Sequence, residues 1–477
     1  MVSDRPIPAD DMIPLVLDVD GTLLKTDLLF ECFWAALGQN AGRTLKLAAT
    51  RFRRPARLKH ELAAIARPDI ELLPLRQSLL ERALAARDAG RSVHLVSGSD
   101  RALVEALGER LGFPGPHYGS NPDRNLTAAA KGAFLEQRFG VGGYDYAGNA
   151  APDLEAWTNA REVIAVTPSG ALGRQLAALG KPVTILAEDW SAGSVLRELR
   201  PHQWIKNLLL FLPLLAAHQF GLPEVARVLL AMIAFSLGAS SIYILNDLLD
   251  LDADRRHPEK RHRPIASGAL PIAVAMLMST ALALLALALA LAVGPPVAAL
   301  TLLYMAGSLS YSLWFKKRRW LDVFVLAGLF MLRVLTGAVA AQITVPPILL
   351  GFGFTVFLVL ACVKRITALS RLPFRDHLPG RGYAPADLLR LERVAYAVTG
   401  IAVLAFLIYV FSPWAQGVYD RPFLLGLAAV PVAVWLLRMI RLSSQGQEDY
   451  DPVSFVLHDK LGFAIMLAGL LLAVLAA

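Results

Sequence analysis

Cysteine is almost missing from this chain: Cys32 and Cys362 are the only two in 477 residues. They lie far apart in segments of different composition, so neither a disulfide framework nor a cysteine-built metal site is available, and a reducing compartment is the simpler setting. Charge is scarce too, at 18% of residues, against about 25% in ordinary soluble domains. With 55% hydrophobic residues, the chain is neither disordered nor collagen-like, and it is too apolar to be wholly soluble. The N-terminus lacks the basic, apolar, small-residue order of a secretory signal and instead carries Pro6, Pro8, Asp10 and Asp11, which predicts a start in the cytosol.

What is present divides into two parts. Up to about residue 195, β-like runs at 13–17, 92–96, 162–166 and 182–186 alternate with helical stretches and Gly-rich turns, a pattern that predicts an α/β sheet. The Arg-rich stretch from about 27 to 90 has no obvious strand and reads as a helical cap inserted after the first strand. From Trp204 onward, apolar runs approach the about 20 residues that cross a bilayer. Nine spans are expected, at 204–220, 225–246, 271–293, 296–315, 321–342, 347–366, 391–412, 421–441 and 457–477.

The loops test that reading independently of hydropathy, because Lys and Arg favour every second loop, on the cytosolic side. Arg255, Arg256, Lys260, Arg261 and Arg263, then Lys316 to Arg319, then Arg371, Arg375 and Arg381, then Arg441 and Lys460 alternate with nearly uncharged loops at Gly221, Gly294, Pro346 and Ser412. The net charge of +8 therefore reads as membrane topology and not as nucleic-acid binding. The expectation is a multi-pass protein of the cell (inner) membrane with its α/β part in the cytosol.

The second span ends in Asn246, Asp247, Asp250, Asp252 and Asp254, followed by His257, Lys260, His262, Arg263 and Pro264. Positions 247, 250 and 254 share one face if the helix continues, whereas Asp252 is displaced by about 140°. Anions gathered at a membrane mouth repel each other, and a hard divalent cation accounts for them. Mg²⁺ takes a few carboxylates and completes its shell with water and substrate phosphates, while Lys260 and Arg263 can neutralise further phosphate oxygens. His257 and His262 read as phosphate neighbours and not as metal ligands. The competing reading is a solvated polar loop. A transporter would instead place its ionisable groups near the bilayer midplane.

These residues resemble the first aspartate motif of the UbiA-type intramembrane prenyltransferases, Asn-Asp-x-x-Asp-x-x-x-Asp, with its Lys-x-x-Arg-Pro continuation. The resemblance runs from Arg200 to the end. It implies a nine-helix transmembrane bundle, at 195–477, that holds a polyprenyl phosphate or diphosphate at a cytosol-facing Mg²⁺ site. The chain departs from the aromatic prenyltransferases in lacking a second aspartate-rich motif. The sixth-to-seventh loop offers Lys364, Arg365, Arg371, Arg375, Asp376, His377, Arg381 and Tyr383, and the fourth-to-fifth connection offers Tyr311, Lys316, Lys317, Arg318, Arg319 and Asp322. With the stretch from Arg200 that leads into the first span and carries Lys206 and Asn207, the chain resembles the decaprenyl-phosphate phosphoribosyltransferase branch, whose members couple a polyprenyl phosphate to phosphoribosyl pyrophosphate. Substrate phosphates would then meet Lys206, Asn246, Lys260, Arg263, Tyr311, Lys316, Arg333, Lys364 and Arg381. Arg333 lies inside a span and is expected to face the bundle interior, because a charge there is expensive unless functional or paired. Positive-inside anchoring alone explains any single loop cation.

In the soluble part, Asp18 and Asp20 end the first apolar run, with Thr22 two positions on. Chemistry in open α/β sheets collects at strand C-termini. One carboxylate can attack phosphorus while the other handles the proton. Leu23 and Leu24 rule against an EF-hand. The stretch resembles the first motif of the haloacid dehalogenase superfamily of phosphatases, and later motifs follow: Ser97 after an apolar strand, Lys131 opening a helix, and Tyr144 to Asp153. The resemblance implies a Rossmann-like α/β core over 1–190 in which Asp18 forms an aspartyl phosphate and Asp20 is acid and base. It further implies that Ser97 and Lys131 hold the phosphoryl group, and that a second Mg²⁺ binds Asp18, Asp153 and the Asp20 carbonyl. Asn149 departs from the family's usual Asp. His94 reads as a packed strand residue.

Two functional expectations follow. The first is a two-headed enzyme that makes a polyprenyl-phosphoryl phosphoribose and then removes its 5-phosphate. The alternative is polyprenyl diphosphate transfer to an aromatic or other small acceptor, with the soluble part as a phosphate-binding module.

Overall fold

A computed structural model describes residues 13–167, 169–187, 191–371, 381–447 and 459–477. The chain forms two compact units, one comprising the sequence up to Leu199 together with Ile244–Met278, the other Arg200–Tyr243 with Ser279–Ala477. Arg375, Asp376 and His377, quoted above for the sixth-to-seventh loop, lie outside the described residues.

In the first unit, β1 (Leu15–Leu17), β2 (Val93–Asp100), β3 (Tyr118–Ser120), β4 (Asp145–Gly148), β5 (Val163–Val166) and β6 (Val183–Leu186) form a sheet in the order β3-β2-β1-β4-β5-β6. Every pairing is parallel, with Val16 opposite His94 on one side and Tyr146 on the other. Side chains alternate across a strand. Leu15 and Leu17 accordingly enter one core with Leu28, Cys32 and Leu107, whereas Val16 enters another with Tyr144, Tyr146 and Trp157. A sheet buried on both faces by such cores is the arrangement that parallel strands require. His94 is buried in β2, its Nδ1 3.0 Å from the Pro116 carbonyl.

The segment between β1 and β2 is helical, comprising Leu28–Gln39, Ala41–Arg51, Pro55–Ile65 and Gln77–Asp88. Leu28, Cys32 and Ala36 recur at one-turn spacing and point into the core. Asp27 caps their helix by accepting from the Leu29 and Phe30 amides at 2.8 and 3.4 Å.

The remainder is helical and apolar. Seven helices among the described residues are long and apolar enough to cross a membrane: Leu222–Leu249, Ile272–Val293, Pro295–Leu313, Leu321–Ala341, Pro347–Ser370, Pro385–Val410 and Pro422–Ser444. Two of the nine expected spans are not among these seven. The anticipated first span is a run of tight helical turns over Pro201–Phe211 followed by the five-residue Leu212–Ala216, and Pro213 withholds a backbone donor there. The last is Lys460–Ala476, 17 residues long. The Leu210 backbone lies so close to Gly337 that a Cβ on that glycine would meet the Leu210 carbonyl oxygen, which is how an irregular segment packs against helix Leu321–Ala341.

Asp145 closes the lower end of β4. Its carboxylate is fully buried, 2.5 Å from Arg91 and 2.8 Å from Arg161. Asp145→Asn leaves two guanidinium groups without their anion and is expected to lower stability by about 3 kcal/mol. Denaturant unfolding of the full chain, followed at the α/β unit's tryptophans, measures this. A loss below about 0.5 kcal/mol would contradict it.

Candidate functional site

After β1 the chain turns back on itself. The amides of Leu23 and Leu24 return to the Asp18 and Val19 carbonyls at 3.3 and 2.9 Å, and Gly21 adopts φ 68°, a conformation that favours glycine. This turn sets Asp18, Asp20 and Thr22 at the C-terminal edge of the sheet, where β2 brings Ser97 and the segment after β4 brings Asp153. The Lys131 ammonium lies 2.6 Å from Asp18 Oδ1 and 3.1 Å from Asp153 Oδ1. Thr22 donates to Asp18 Oδ2 at 3.1 Å. Asp20 Oδ2 accepts from Ser97 and Ser99, both at 2.7 Å, and Oδ1 from the Leu28 amide at 2.8 Å. Six residues chosen from sequence therefore meet in one place: Asp18, Asp20, Thr22, Ser97, Lys131 and Asp153. Ser97 serves Asp20 there, not Asp18.

The electrostatics follow from burial. Desolvation pushes the Asp18 carboxyl up to about 7, with Lys131 opposing and Asp153 and Asp20 reinforcing the shift. Burial works against the Lys131 ammonium, yet Asp18 and Asp153 hold it above the usual lysine range. Three contributors were not read from the sequence. Ser99 shares a strand face with Ser97, which was a usable signal. Tyr146 donates to Asp153 Oδ1 at 2.8 Å, and Lys59, from helix Pro55–Ile65, donates to the Gly98 carbonyl at 2.5 Å. Asn149 bonds Asp153 through its backbone amide at 3.1 Å.

The acidic motif after Leu249 belongs to the same unit. The helix does not run on unbroken, since Asp250 has φ −103° and ψ 15° and begins the short helix Leu251–Arg256. Asp247 and Asp254 are buried and meet on one guanidinium: Arg263 Nη1 lies 2.9 Å from Asp247 Oδ1 and 2.5 Å from Asp254 Oδ2. Burial raises the Asp254 carboxyl, Arg263 opposes that, and Asp247 adds to it. The Asn246 Oδ1 atom is buried without a hydrogen-bond partner. Asp250 is half-buried, and Lys260, His257 and His262 are exposed. Among the described residues no three His, Cys, Asp or Glu side chains converge as a metal cage. The three-carboxylate face expected from Asp247, Asp250 and Asp254 is not formed, with only Asp247 and Asp254 meeting on Arg263, and in the α/β site Asp18 and Asp153 meet on Lys131. The physical reason is that Lys131 and Arg263 stand between the acids.

The basic residues of the second unit fall into separate groups. Tyr311 and Arg381 join Asp322 and Arg365: Arg365 Nε is 2.5 Å from Asp322 Oδ2, Tyr311 donates to Asp322 Oδ1 at 2.7 Å, and Arg381 reaches Tyr311 at 3.0 Å. Sequence reading favoured Lys364, which is half-buried, over its neighbour Arg365, which is buried. A charge deep in an apolar run was the signal for Arg365 and Asp322. Arg333 faces inward, donating to Asn207 Oδ1 at 3.0 Å, Tyr304 at 3.0 Å and the Leu329 carbonyl at 2.8 Å, with its cation over the Phe235, Tyr304 and Phe330 rings. Lys206 is buried and donates to Gln203 at 2.6 Å. Lys316 is half-buried. An apolar cavity of about 520 Å³ lies in this unit, lined by Leu209, Pro213, Met331, Phe357, Trp414 and Ile465 among others.

The helices and their apolar surfaces define a multi-pass membrane protein. The chain belongs to the UbiA prenyltransferase family, whose model matches residues 207–467. Uncharacterized protein y4nM of Sinorhizobium fredii is 32% identical over 467 residues, 96% of this chain and 89% of that protein. The nodulation protein NoeC of Azorhizobium caulinodans is 36% identical over 265 residues, 54% of this chain and 85% of the relative. A decaprenyl-phosphate phosphoribosyltransferase of Mycobacterium tuberculosis is 34% identical over 154 residues, 31% of this chain. The chain spans about half the length of that enzyme, 51%.

Asp322→Asn tests the buried pair. Arg365 keeps its place in the helix but loses its anion, and the cost is expected to be about 3 kcal/mol. Unfolding in detergent reads it, and an unchanged midpoint would show that the pair contributes nothing.

Proposed function

We propose that the chain transfers phosphoribose from phosphoribosyl pyrophosphate to a polyprenyl phosphate at its acidic edge, and that its α/β part is a haloacid dehalogenase-type phosphatase acting on the product. The observation that carries the first half is the acidic edge, where two buried carboxylates share the Arg263 guanidinium and the residue before Asp247, Asn246, has a buried Oδ1 without a partner. That edge suits Mg²⁺. Its donors are all oxygens, Arg263 already fills the role of a cation, and Asn246 Oδ1 awaits a partner. Asp247, Asp254 and Asn246 would hold the ion, with Asp250 beside them. When bound, the metal neutralises charge on the departing pyrophosphate.

In the transfer, an oxygen of the lipid phosphate forms the bond to the ribose anomeric carbon as the bond to pyrophosphate breaks, and pyrophosphate leaves. Arg263 and Lys260 pair with phosphate oxygens. The second unit by itself offers an apolar cavity of a kind that suits a lipid chain. Similarity to a decaprenyl-phosphate phosphoribosyltransferase supports the choice of substrates, and the basic loops support a cytosolic face for the acidic edge and the α/β unit.

For the second half, an Asp18 oxygen attacks phosphorus, the ester P–O bond breaks, and Asp20 gives its proton to the leaving alcohol. Water then releases inorganic phosphate from Asp18 and returns a proton to Asp20. Lys131 orients Asp18 and neutralises the phosphoryl group. A metal fits less well here. Both oxygens of Asp18, Asp20 and Asp153 already have donors, and Lys131 occupies the space between Asp18 and Asp153.

In proteoliposomes, labelled phosphoribosyl pyrophosphate and polyprenyl phosphate are expected to give labelled lipid. Asp247→Asn and Asp254→Asn should each cut that rate by about a hundredfold. Lipid prenylating an aromatic acceptor with no ribose label would favour the alternative. Given the phosphoribosylated lipid, the full chain is expected to release inorganic phosphate and Asp18→Asn to release none. Equal release by the variant would remove the phosphatase assignment.

A further inference from the structure

Glu31 and Arg255 form a buried ion pair between residues 224 positions apart. Glu31 sits in the first turn of helix Leu28–Gln39 and Arg255 in the short helix that ends the acidic motif. The contact is bidentate, with Arg255 Nη2 2.6 Å from Glu31 Oε1 and Nη1 3.0 Å from Oε2. Both residues are buried, 2% exposed for Glu31 and 7% for Arg255. The third arm is used as well, because Arg255 Nε donates to the Ala266 carbonyl at 3.0 Å. Thr26 donates to Glu31 Oε1 at 2.6 Å and fixes the carboxylate from the other side. One guanidinium thus ties three strands of chain: the first helix after β1, the residue beside Asp254, and the stretch returning from Arg263.

We propose that Glu31 and Arg255 are positioning residues of the acidic edge, holding Asp254 and Arg263 at the separation a cation and its diphosphate require. Neither side chain touches the acids' oxygens. Arg255 acts through the backbone on both sides of the site, through its own peptide next to Asp254 and through Ala266, three residues beyond Arg263. A fixed bidentate fork suits this task, since it sets orientation as well as distance. The N-terminal helices are then part of the membrane reaction and not an appended module. The adjacent Arg256–Asp69 pair, 2.9 Å apart with Arg256 61% exposed, is a surface contact of little consequence and provides a control. The inference rests on the reading of the acidic edge as a diphosphate–metal site.

The experiment uses the full chain in nanodiscs, as wild type, Glu31→Gln, Arg255→Lys and Asp69→Asn. Amide hydrogen exchange over residues 247–266 is followed with and without magnesium pyrophosphate, and transfer of labelled phosphoribose is measured in parallel. In the wild type and Asp69→Asn, magnesium pyrophosphate should slow exchange. In Glu31→Gln that protection should need at least about tenfold more magnesium, with kcat for transfer falling by a similar factor, and Arg255→Lys should lie between. If Glu31→Gln is protected at the wild-type magnesium concentration, or if the wild type shows no protection, the inference is overturned. If protection behaves as expected but no labelled lipid forms, the inference stands and the phosphoribosyl reading falls.

Discussion

A carboxylate out of reach of water has to be matched by a positive charge, and the fold uses that constraint at each of its polar centres. Lys131 lies between Asp18 and Asp153, Arg263 between Asp247 and Asp254, and Arg365 against Asp322. These pairings differ in a way that bears on function. The Arg365 side chain is 3% exposed, so it has nowhere to go and reads as structure. The Arg263 side chain is 28% exposed. In the function we propose, that exposure lets it turn toward solvent when another cation or a phosphate arrives.

The boundary between the two compositions is not the boundary between the two compact units. Ile244–Met278 follows the second apolar run in sequence yet packs with the α/β residues. Within that unit the segment that carries the acidic edge is bonded to a side chain supplied 224 residues earlier, through the Arg255–Glu31 fork. Similarity to protein y4nM over 96% of the chain covers both compositions together.

Much of this was legible in the sequence where one local rule decided the outcome. Asp18, Asp20 and Thr22 follow an apolar strand, and strand ends are where an open sheet collects its chemistry. The long apolar runs announced themselves by length. The misses have physical causes. β3 and β4 are short and contain Gly119 and Gly148, so they read as turns. The segment 204–220 is apolar enough for a span, but Pro213 and close packing on Gly337 turn it into irregular helix. Extending the helix through Asp250 assumed continuity, which the backbone there does not keep. Glu31 was passed over because its partner lies 224 positions away, and periodicity carries no information at that range.

The central claim is that the acidic edge exchanges its internal guanidinium for a metal-bound diphosphate. An experimental structure of the full chain with magnesium and pyrophosphate tests it directly. The account predicts a cation between Asp247 and Asp254, bound also by Asn246 Oδ1, with the Arg263 side chain turned onto phosphate oxygens. Arg263 still bridging the two carboxylates, with the diphosphate bound elsewhere, would contradict it.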